Sequence, residues 1–440
     1  MTTARAGNPL ITAATVITRI VVGGTFAFSG FAKAIDPWGT YYKITDYLLA
    51  LGWDSALSLA LWFAFVLAGA ELLLGVLITV GAYRRSAPIA ALLTLLVMTP
   101  LTLWLAITNA VPDCGCFGDA LVLSNWATFA KNLLLLAGTL FLILSGTRVR
   151  GLFYPATQWL VAAATIAFAA YIAAQGYFVQ PLLDFRPFKT GTRITADAHS
   201  SNSTDFAFIY ERGGQRQQFT IDNVPDEDSG WTFIARVELP PKAPAATAVD
   251  AHTLALADEA GPMTDQILAS DSNVILILFP NLSDVSVAHT YMINEITDFA
   301  LDNGAAVYGV TAATDNEIAQ WADLSMARYP MLFGDDSEIK MLARGNPAIV
   351  LLSSGEIRWK RTLGSITPEH LRKPQVTLHN LSDDFRPREQ LRNAIVSYAI
   401  ALLAILVLNH TYTGLRHISA RRKSKPQQQN NSTDNNTNNN

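Results

Sequence analysis

Six apolar stretches, at about 11–32, 57–82, 87–110, 127–146, 156–176 and 393–410, constrain this chain more than any other feature. Each approaches the roughly 20 residues that a helix needs to cross a bilayer, the last being the shortest. Half of the residues are hydrophobic and only 15% are charged, with a positive mean hydropathy. That balance lies above an ordinary soluble protein and indicates a partly membrane-embedded chain. A net charge near −4 gives no case for nucleic-acid binding. No removable signal peptide is expected, because the first apolar run continues at spanning length and no small-residue cleavage site follows a short apolar core.

Lysine and arginine in the short loops set an orientation. Arg84 and Arg85 separate the second and third runs, and Arg148 and Arg150 separate the fourth and fifth. Arg416, His417, Arg421, Arg422, Lys423 and Lys425 follow the sixth. Six spans with both termini cytoplasmic place all three groups on the same side. The loop 33–56, the loop around 114–116 and residues of about 177–392 are then exterior, which in a bacterial inner membrane means periplasmic.

That exterior loop, Pro112-Asp113-Cys114-Gly115-Cys116-Phe117-Gly118-Asp119, holds the only two cysteines of the 440 residues. Oxidised, they would close a very small ring across Gly115, whose missing Cβ tolerates unusual backbone angles. So short a loop hardly constrains the unfolded chain, and a cramped disulfide is easily reduced. Redox chemistry is therefore one reading. A passive bridge, or two free thiols at a helix end, is the other. No metal site is expected, since two thiolates lack the further ligands zinc requires. Asp113 and Asp119 flank the thiols, and their charge is expected to raise a thiol pKa, against strong activation. The exterior compartment is where disulfides persist.

Two ionisable residues fall inside spans, Arg19 in the first and Glu71 in the second. Buried membrane charges are costly and face a protein interior or a partner. They could form a polar pocket for a quinone head group or a proton path. Alternatively they are a structural ion pair, or Arg19 snorkels toward the cytoplasm. Gly23, Gly24, Gly69 and Gly75 would allow close helix packing. Pro37 and Gly39 end the first helix, and Lys33, Asp36 and Trp38 sit where an interface would anchor them. Tyr41, Tyr42, Tyr47 and Trp53 suggest a segment lying along the outer surface. Ser124 or Asn125 can cap the fourth span, with Trp126 in the interface.

With Phe28, Ser29, Gly30, Lys33, Asp36, Pro37, Glu71, Gly75 and the Cys114-Gly115-Cys116-Phe117-Gly118 run in place, residues 11–146 resemble the DoxX/MauE-like membrane proteins, four-helix membrane modules. MauE-like members are linked to methylamine utilisation, where they assist maturation of a disulfide-rich periplasmic dehydrogenase subunit. DoxX-like members are linked to quinol oxidase or thiosulfate:quinone oxidoreductase activity. The cysteine pair moves the likeness towards MauE. The resemblance implies structural roles for Ser29, Gly30, Lys33, Asp36, Pro37, Gly115 and Gly118.

The exterior segment opens with a proline-containing exit, Pro181 to Pro187. Alternation around Gly213-Gly214 predicts a β-hairpin between 206–210 and 216–221, and 223–250 reads as a connection. Beyond 251, strands at 273–279, 305–310, 330–333, 348–352 and 356–359 alternate with helices at 285–301, 315–325 and 367–373. The continuous apolar run Asn273–Phe279 has the pattern of a strand buried on both faces. This order resembles the thioredoxin fold, with Pro347 at the cis-proline position. Where that family carries Cys-x-x-Cys, the segment Phe279-Pro280-Asn281-Leu282-Ser283-Asp284-Val285-Ser286 has no cysteine, so this domain is not expected to exchange disulfides itself. Scattered His252, His289, His370 and His379 form no metal constellation. The polar tail after Gln427 is expected to be disordered.

The sequence thus predicts a mainly helical polytopic membrane bundle carrying an exterior α/β thioredoxin-like domain. Its expected divisions are a four-helix module (1–150), a fifth span and exit (151–185), a β-rich connecting segment (186–250), the thioredoxin-like domain (251–380), a sixth span (381–418) and a cytoplasmic tail (419–440). Cys114 and Cys116 are the candidate catalytic pair of a thiol–disulfide oxidoreductase or maturation factor. Glu71 and Arg19 are the candidate quinone site, and exported cysteine-bearing proteins and membrane lipid are the expected partners. A membrane scaffold without enzymatic activity, or a subunit of a quinone-linked respiratory complex, are the rival readings.

Overall fold

The computed structural model describes residues 9–145, 149–194, 206–212, 215–220, 231–238, 254–258, 260–268 and 272–424. Arg148, the Gly213-Gly214 turn, His252, Lys425 and the polar tail lie outside them. The described residues fall into two compact units, one up to Phe185 and again from Phe385, the other Arg186–Asp384.

The first unit is helical. α1 (Pro9–Ile35), α3 (Ala60–Val80), α4 (Ser86–Thr108), α5 (Asn125–Ser145) and α6 (Gln158–Phe178) are long apolar helices. The chain returns to this unit in α12 (Pro387–Ser424), whose apolar part reaches Gly414. Among the described residues, six helices are long and apolar enough to cross a membrane. Trp62, Val66, Val97, Leu134 and Leu144 stand exposed on their outer faces, which is the lipid-facing pattern of such a bundle. Polar clips dock α12 on α6: the Thr165 and Tyr398 hydroxyls are 2.8 Å apart, and the Phe168 and Tyr398 rings stack at 4.7 Å.

The short helix α2 (Pro37–Ala50) follows α1 with only Asp36 between them. Pro37 stops α1 because it cannot donate a backbone hydrogen bond, and for the same reason it suits the first position of α2. Asp36 caps α2 by accepting from the Gly39 N–H at 2.9 Å.

Close packing of α1 on α3 follows from glycine. A Cβ on Gly30 would overlap the Leu72 backbone, and one on Gly75 would overlap Ala27. Gly23 faces Thr79 in the same seam, whereas Gly24 and Gly69 face open space and take no part in it, contrary to expectation. Glycine spacing alone cannot say which side of a helix meets its neighbour.

Loops at the two ends of this bundle differ in character. At one end, Arg84 donates to the Val149 carbonyl at 2.9 Å and Leu152 N–H to the Val80 carbonyl at 3.0 Å. The 23-residue α4 separates that end from the cysteine loop, a length of about 35 Å.

In the second unit, a mixed sheet has strand order β10-β9-β6-β7-β8-β4-β5. The strands are β4 (Leu256–Asp258), β5 (Gly261–Pro262), β6 (Asn273–Phe279), β7 (Ala306–Thr311), β8 (Met331–Gly334), β9 (Ala348–Ser353) and β10 (Glu356–Thr362). β6, β7 and β8 run parallel, while β9 is antiparallel to β6 and β10 antiparallel to β9. Helices α7 (Thr264–Leu268), α8 (Thr290–Asp302), α9 (Asp315–Ser325), α10 (Asp336–Leu342) and α11 (Pro368–Leu371) complete the α/β unit. The central β10-β9-β6-β7 order, with β6-α8-β7 before the antiparallel β9-β10 hairpin, is the thioredoxin-like arrangement. β6 is apolar throughout because it feeds two cores: Ile275, Ile277 and Phe279 enter one, and Val274, Leu276 and Leu278 the other.

A separate three-stranded sheet, ordered β2-β1-β3, contains β1 (Phe206–Arg212), β2 (Gln215–Thr220) and β3 (Thr232–Glu238). The β1–β2 hairpin matches the expectation. β3 corrects it, since part of the segment read as a connection pairs antiparallel with β1. Alternation in Thr232–Glu238 is interrupted by charge, which hid the strand. Phe188 and Ile194 also pack into the sheet's second core, so the exit segment contributes to the α/β unit.

Candidate functional site

The α1–α3 seam brings three polar side chains together inside the membrane unit. Lys33 Nζ lies 2.6 Å from Glu71 Oε2, 2.7 Å from Ser29 Oγ and 2.7 Å from the Cys116 carbonyl oxygen. Its three protons therefore meet three acceptors. Ser29 Oγ is 2.7 Å from Glu71 Oε2 and also touches the Cys116 carbonyl. Ser29, Lys33 and Glu71 are all buried. A buried ion pair persists only where hydrogen bonds complete it, and here the backbone of the cysteine loop supplies the last one. The expectation that Lys33 anchors at the interface is thus corrected: it faces inward because Glu71 lies opposite it across the glycine seam.

The loop itself is held at several points. Asp113 Oδ2 pairs with Lys43 Nζ of α2 at 2.7 Å, and Asp113 Oδ1 accepts from the Gly115 N–H at 2.8 Å. Gly115 has φ +58°, and a Cβ there would press on the Lys43 side chain, so both conformation and space call for glycine. Gly118 closes the turn through its N–H to the Gly115 carbonyl at 3.0 Å. Asn125 does not cap α5 through its side chain. It is buried, and its Nδ2 donates to the Val111 carbonyl at 3.1 Å and the Leu105 carbonyl at 3.4 Å, tying the loop's start to the end of α4.

Cys114 is buried against Leu105 and Val111, with Tyr47 and Trp104 packed on the same cluster, and Cys116 is half-buried beside it. Both sulfurs are free thiols. The Cys116 thiol donates to the Cys114 sulfur, which lowers Cys114 to about 6 despite its burial, with Thr128 and Lys131 of α5 adding to the effect. The same hydrogen bond and burial hold Cys116 well above the ordinary thiol range. The hydrogen bond between the sulfurs thus favours the thiolate on Cys114 over Cys116. This corrects the expectation that the flanking aspartates oppose activation. Asp113 is engaged by Lys43, while the Lys131 ammonium, 4.3 Å from the Phe117 ring centroid, contributes positive charge.

Both cysteines line an open cavity of about 100 Å³ that also meets Lys33, Glu71, Tyr47 and Lys131. Arg19 is not part of it. Its Nε donates to the Ile78 carbonyl at 3.3 Å, beside Gly81 at the C-terminal end of α3, where a cation complements the helix dipole. Arg19 lines a second, much smaller cavity with Arg84. Of the alternatives open in the sequence, an ion pair between Arg19 and Glu71 is not formed, since Glu71 pairs with Lys33.

Pro347 lies in the α/β unit, and the Asn346–Pro347 peptide is cis. Asn346 and Asn281 exchange hydrogen bonds there, at 2.7 Å and 3.3 Å, so the cysteine-free β6 loop sits beside the proline. Among the described residues, no group of three or more His, Cys, Asp or Glu side chains converges as a metal site. Sequence reasoning passed over Lys43, Thr128 and Lys131, and read Tyr47 only as part of a surface-lying segment and Asn125 only as a helix cap. A polar stripe at helical spacing (Asn125, Thr128, Asn132) opening an otherwise apolar span was the available signal.

Fold and site together define a multi-span membrane protein in which a buried lysine–glutamate pair holds a dithiol loop against the bundle. Residues 11–145 match the family model described as methylamine utilisation protein MauE. Residues 204–239, which contain the three-stranded sheet, match a domain of unknown function, DUF8463. No curated protein matches the chain. Among solved structures it is similar to the bacterioferritin comigratory protein of Xanthomonas campestris, described for its alkyl peroxide reduction activity. That similarity has 13% identity and a TM-score of 0.20, and it covers 32% of this chain and 90% of the other.

Proposed function

We propose that this membrane protein is a thiol–disulfide oxidoreductase serving the maturation of exported proteins through Cys114 and Cys116. The observation that carries the reading is the adjacent pair of free thiols in the loop, where the Cys116 thiol donates to the Cys114 sulfur and depresses its pKa. When a client thiolate attacks the loop disulfide, the sulfur of lower pKa is the better leaving group. In the oxidised state the client's thiolate attacks the Cys114–Cys116 bond. A mixed disulfide forms and one loop thiolate leaves. The client's second thiol then resolves it, so that the client gains a disulfide and the loop regains two thiols. The arginine loops at the opposite end of the bundle support a cytoplasmic position for that end and an exterior, periplasmic position for the dithiol. The α/β unit has no cysteine for exchange, and we assign it to recruiting clients.

The test is acid-quenched thiol trapping in cells, with and without Cys116→Ser. The wild-type pair should be found in both dithiol and disulfide forms, and the variant, whose loop cannot form the disulfide, should leave exported clients reduced. A pair that stays fully oxidised, together with normal client disulfides in the variant, would instead mark a scaffold.

A further inference from the structure

At the end of the membrane unit opposite the dithiol, two guanidinium groups face one small space. Arg19 is only 8% exposed, and its Nε donates to the Ile78 carbonyl at 3.3 Å. Among the described residues its guanidinium makes no other hydrogen bond and no ion pair. Its terminal nitrogens fill the space beside Gly81 that a Cβ there would need. They line a cavity of about 10 Å³ together with Arg84, Ala82, Pro88 and Leu142, and no acidic side chain borders it. The C-terminal end of α3 offers a partial negative charge of about half a unit. That balances only part of two positive charges, and a buried charge left uncompensated is costly.

The missing counter-charge cannot come from nearby in the chain. Every stretch that reaches this end lacks acid: residues 1–35, 72–112, 120–183 and 390–433 hold no aspartate or glutamate. The same stretches bring Arg85, Arg148 and Arg150. Gly81 follows the last residue of α3 and Pro88 lies in the first turn of α4, so the cavity sits where spans end and lipid head groups begin. Basic pockets between spans at that depth suit acidic head groups. A space of this size takes one water-sized atom, which is the size of a single phosphate oxygen. A lipid phosphodiester can insert one oxygen while its ester bonds keep the rest of the head group in the interface. Arginine's planar fork matches phosphate oxygens. A zwitterionic head group would also bring a quaternary ammonium towards the arginines, whereas an acidic one would not.

We propose that Arg19 and Arg84 form a binding site for an acidic phospholipid, with one phosphate oxygen entering the cavity to meet both guanidiniums. The site is independent of the dithiol and of the exchange reaction.

The experiment uses the purified full-length protein in dodecyl maltoside, with dioleoylphosphatidylglycerol as the probe. Native mass spectrometry counts retained lipid, and thermal unfolding reports the stabilisation that binding brings. Wild type should retain one phosphatidylglycerol. Its unfolding midpoint should rise with that lipid but not with dioleoylphosphatidylcholine, sodium phosphate or sodium chloride. Arg19→Gln and Arg84→Gln should each weaken binding about tenfold, the value of one charge-assisted hydrogen bond. Arg85→Gln, which alters an exposed neighbour outside the cavity, should change it less than about twofold. Circular dichroism reports whether each variant is folded. Arg19→Lys, which keeps the charge but not the fork, should fall between wild type and Arg19→Gln, and it decides the matter with Arg84→Gln if Arg19→Gln does not fold. If phosphatidylcholine binds equally well, or Arg85→Gln loses as much as the cavity variants, the attraction is general surface charge and the inference fails. If sodium phosphate or chloride alone saturates the rise in midpoint, the occupant is a free anion and the lipid assignment is overturned.

Discussion

Lys33 illustrates how much one side chain can carry. It joins α1, α3 and the cysteine loop through three hydrogen bonds. Lys33→Met should cost about 3–5 kcal/mol, because Glu71 is left buried without compensation. Adding Glu71→Leu should restore most of the thermal stability in detergent while leaving the Cys116 carbonyl without its ammonium donor. Unfolding curves of the single and double variants check both outcomes. Cys114 gives a pH signature. Its pKa is depressed to about 6, so the thiolate is scarce below that value and dominant above it. Alkylation of Cys114 should accordingly rise through pH 6 and level off near neutrality. Cys116→Ala removes the donor and should move that rise to higher pH, which rate measurements from pH 5 to 9 would detect.

At the scale of elements, the decisive contact is the α1–α3 seam. Gly30 and Gly75 allow backbone to meet backbone there, and that approach is what places Lys33 against Glu71. Gly30→Val should destabilise by about 3 kcal/mol or more through overpacking, lowering the midpoint of thermal unfolding. Gly24→Ala, facing open space, should be neutral or stabilising by up to about 1 kcal/mol through helix propensity. Equal losses in both variants would show that the seam is not where the packing energy resides. α2 matters in a different way: Lys43 and Tyr47, one helical turn apart, reach the loop from a segment legible in the sequence only as surface-lying.

For the whole molecule, the membrane unit has two chemically distinct ends. Arg84 and the 149–152 loop gather at one, and the dithiol and α2 occupy the other. A membrane-impermeant maleimide applied to intact cells should label reduced Cys116, the less buried of the two thiols. A cysteine introduced at Arg150 in a Cys114→Ser/Cys116→Ser background should be labelled only after permeabilisation. The reverse pattern would put the dithiol in the cytoplasm and remove the proposed clients. The second unit reaches its thioredoxin-like order from strands whose apolar runs were plain in the sequence. β4 and β5 are too short for a periodic pattern, and β3 too charged.

By itself the sequence determined which segments are long and apolar enough to span a membrane, which form the alternating strands and helices, and that the two cysteines share one loop. These are local properties, written in runs and spacings along the chain. Only the tertiary structure decided that Glu71 pairs with Lys33 and not Arg19, that the Cys116 carbonyl completes the pair, and that Tyr47 and Lys131 face the dithiol. A charge within a span must find a partner, but which one it finds depends on the side of the helix that glycine turns toward its neighbour.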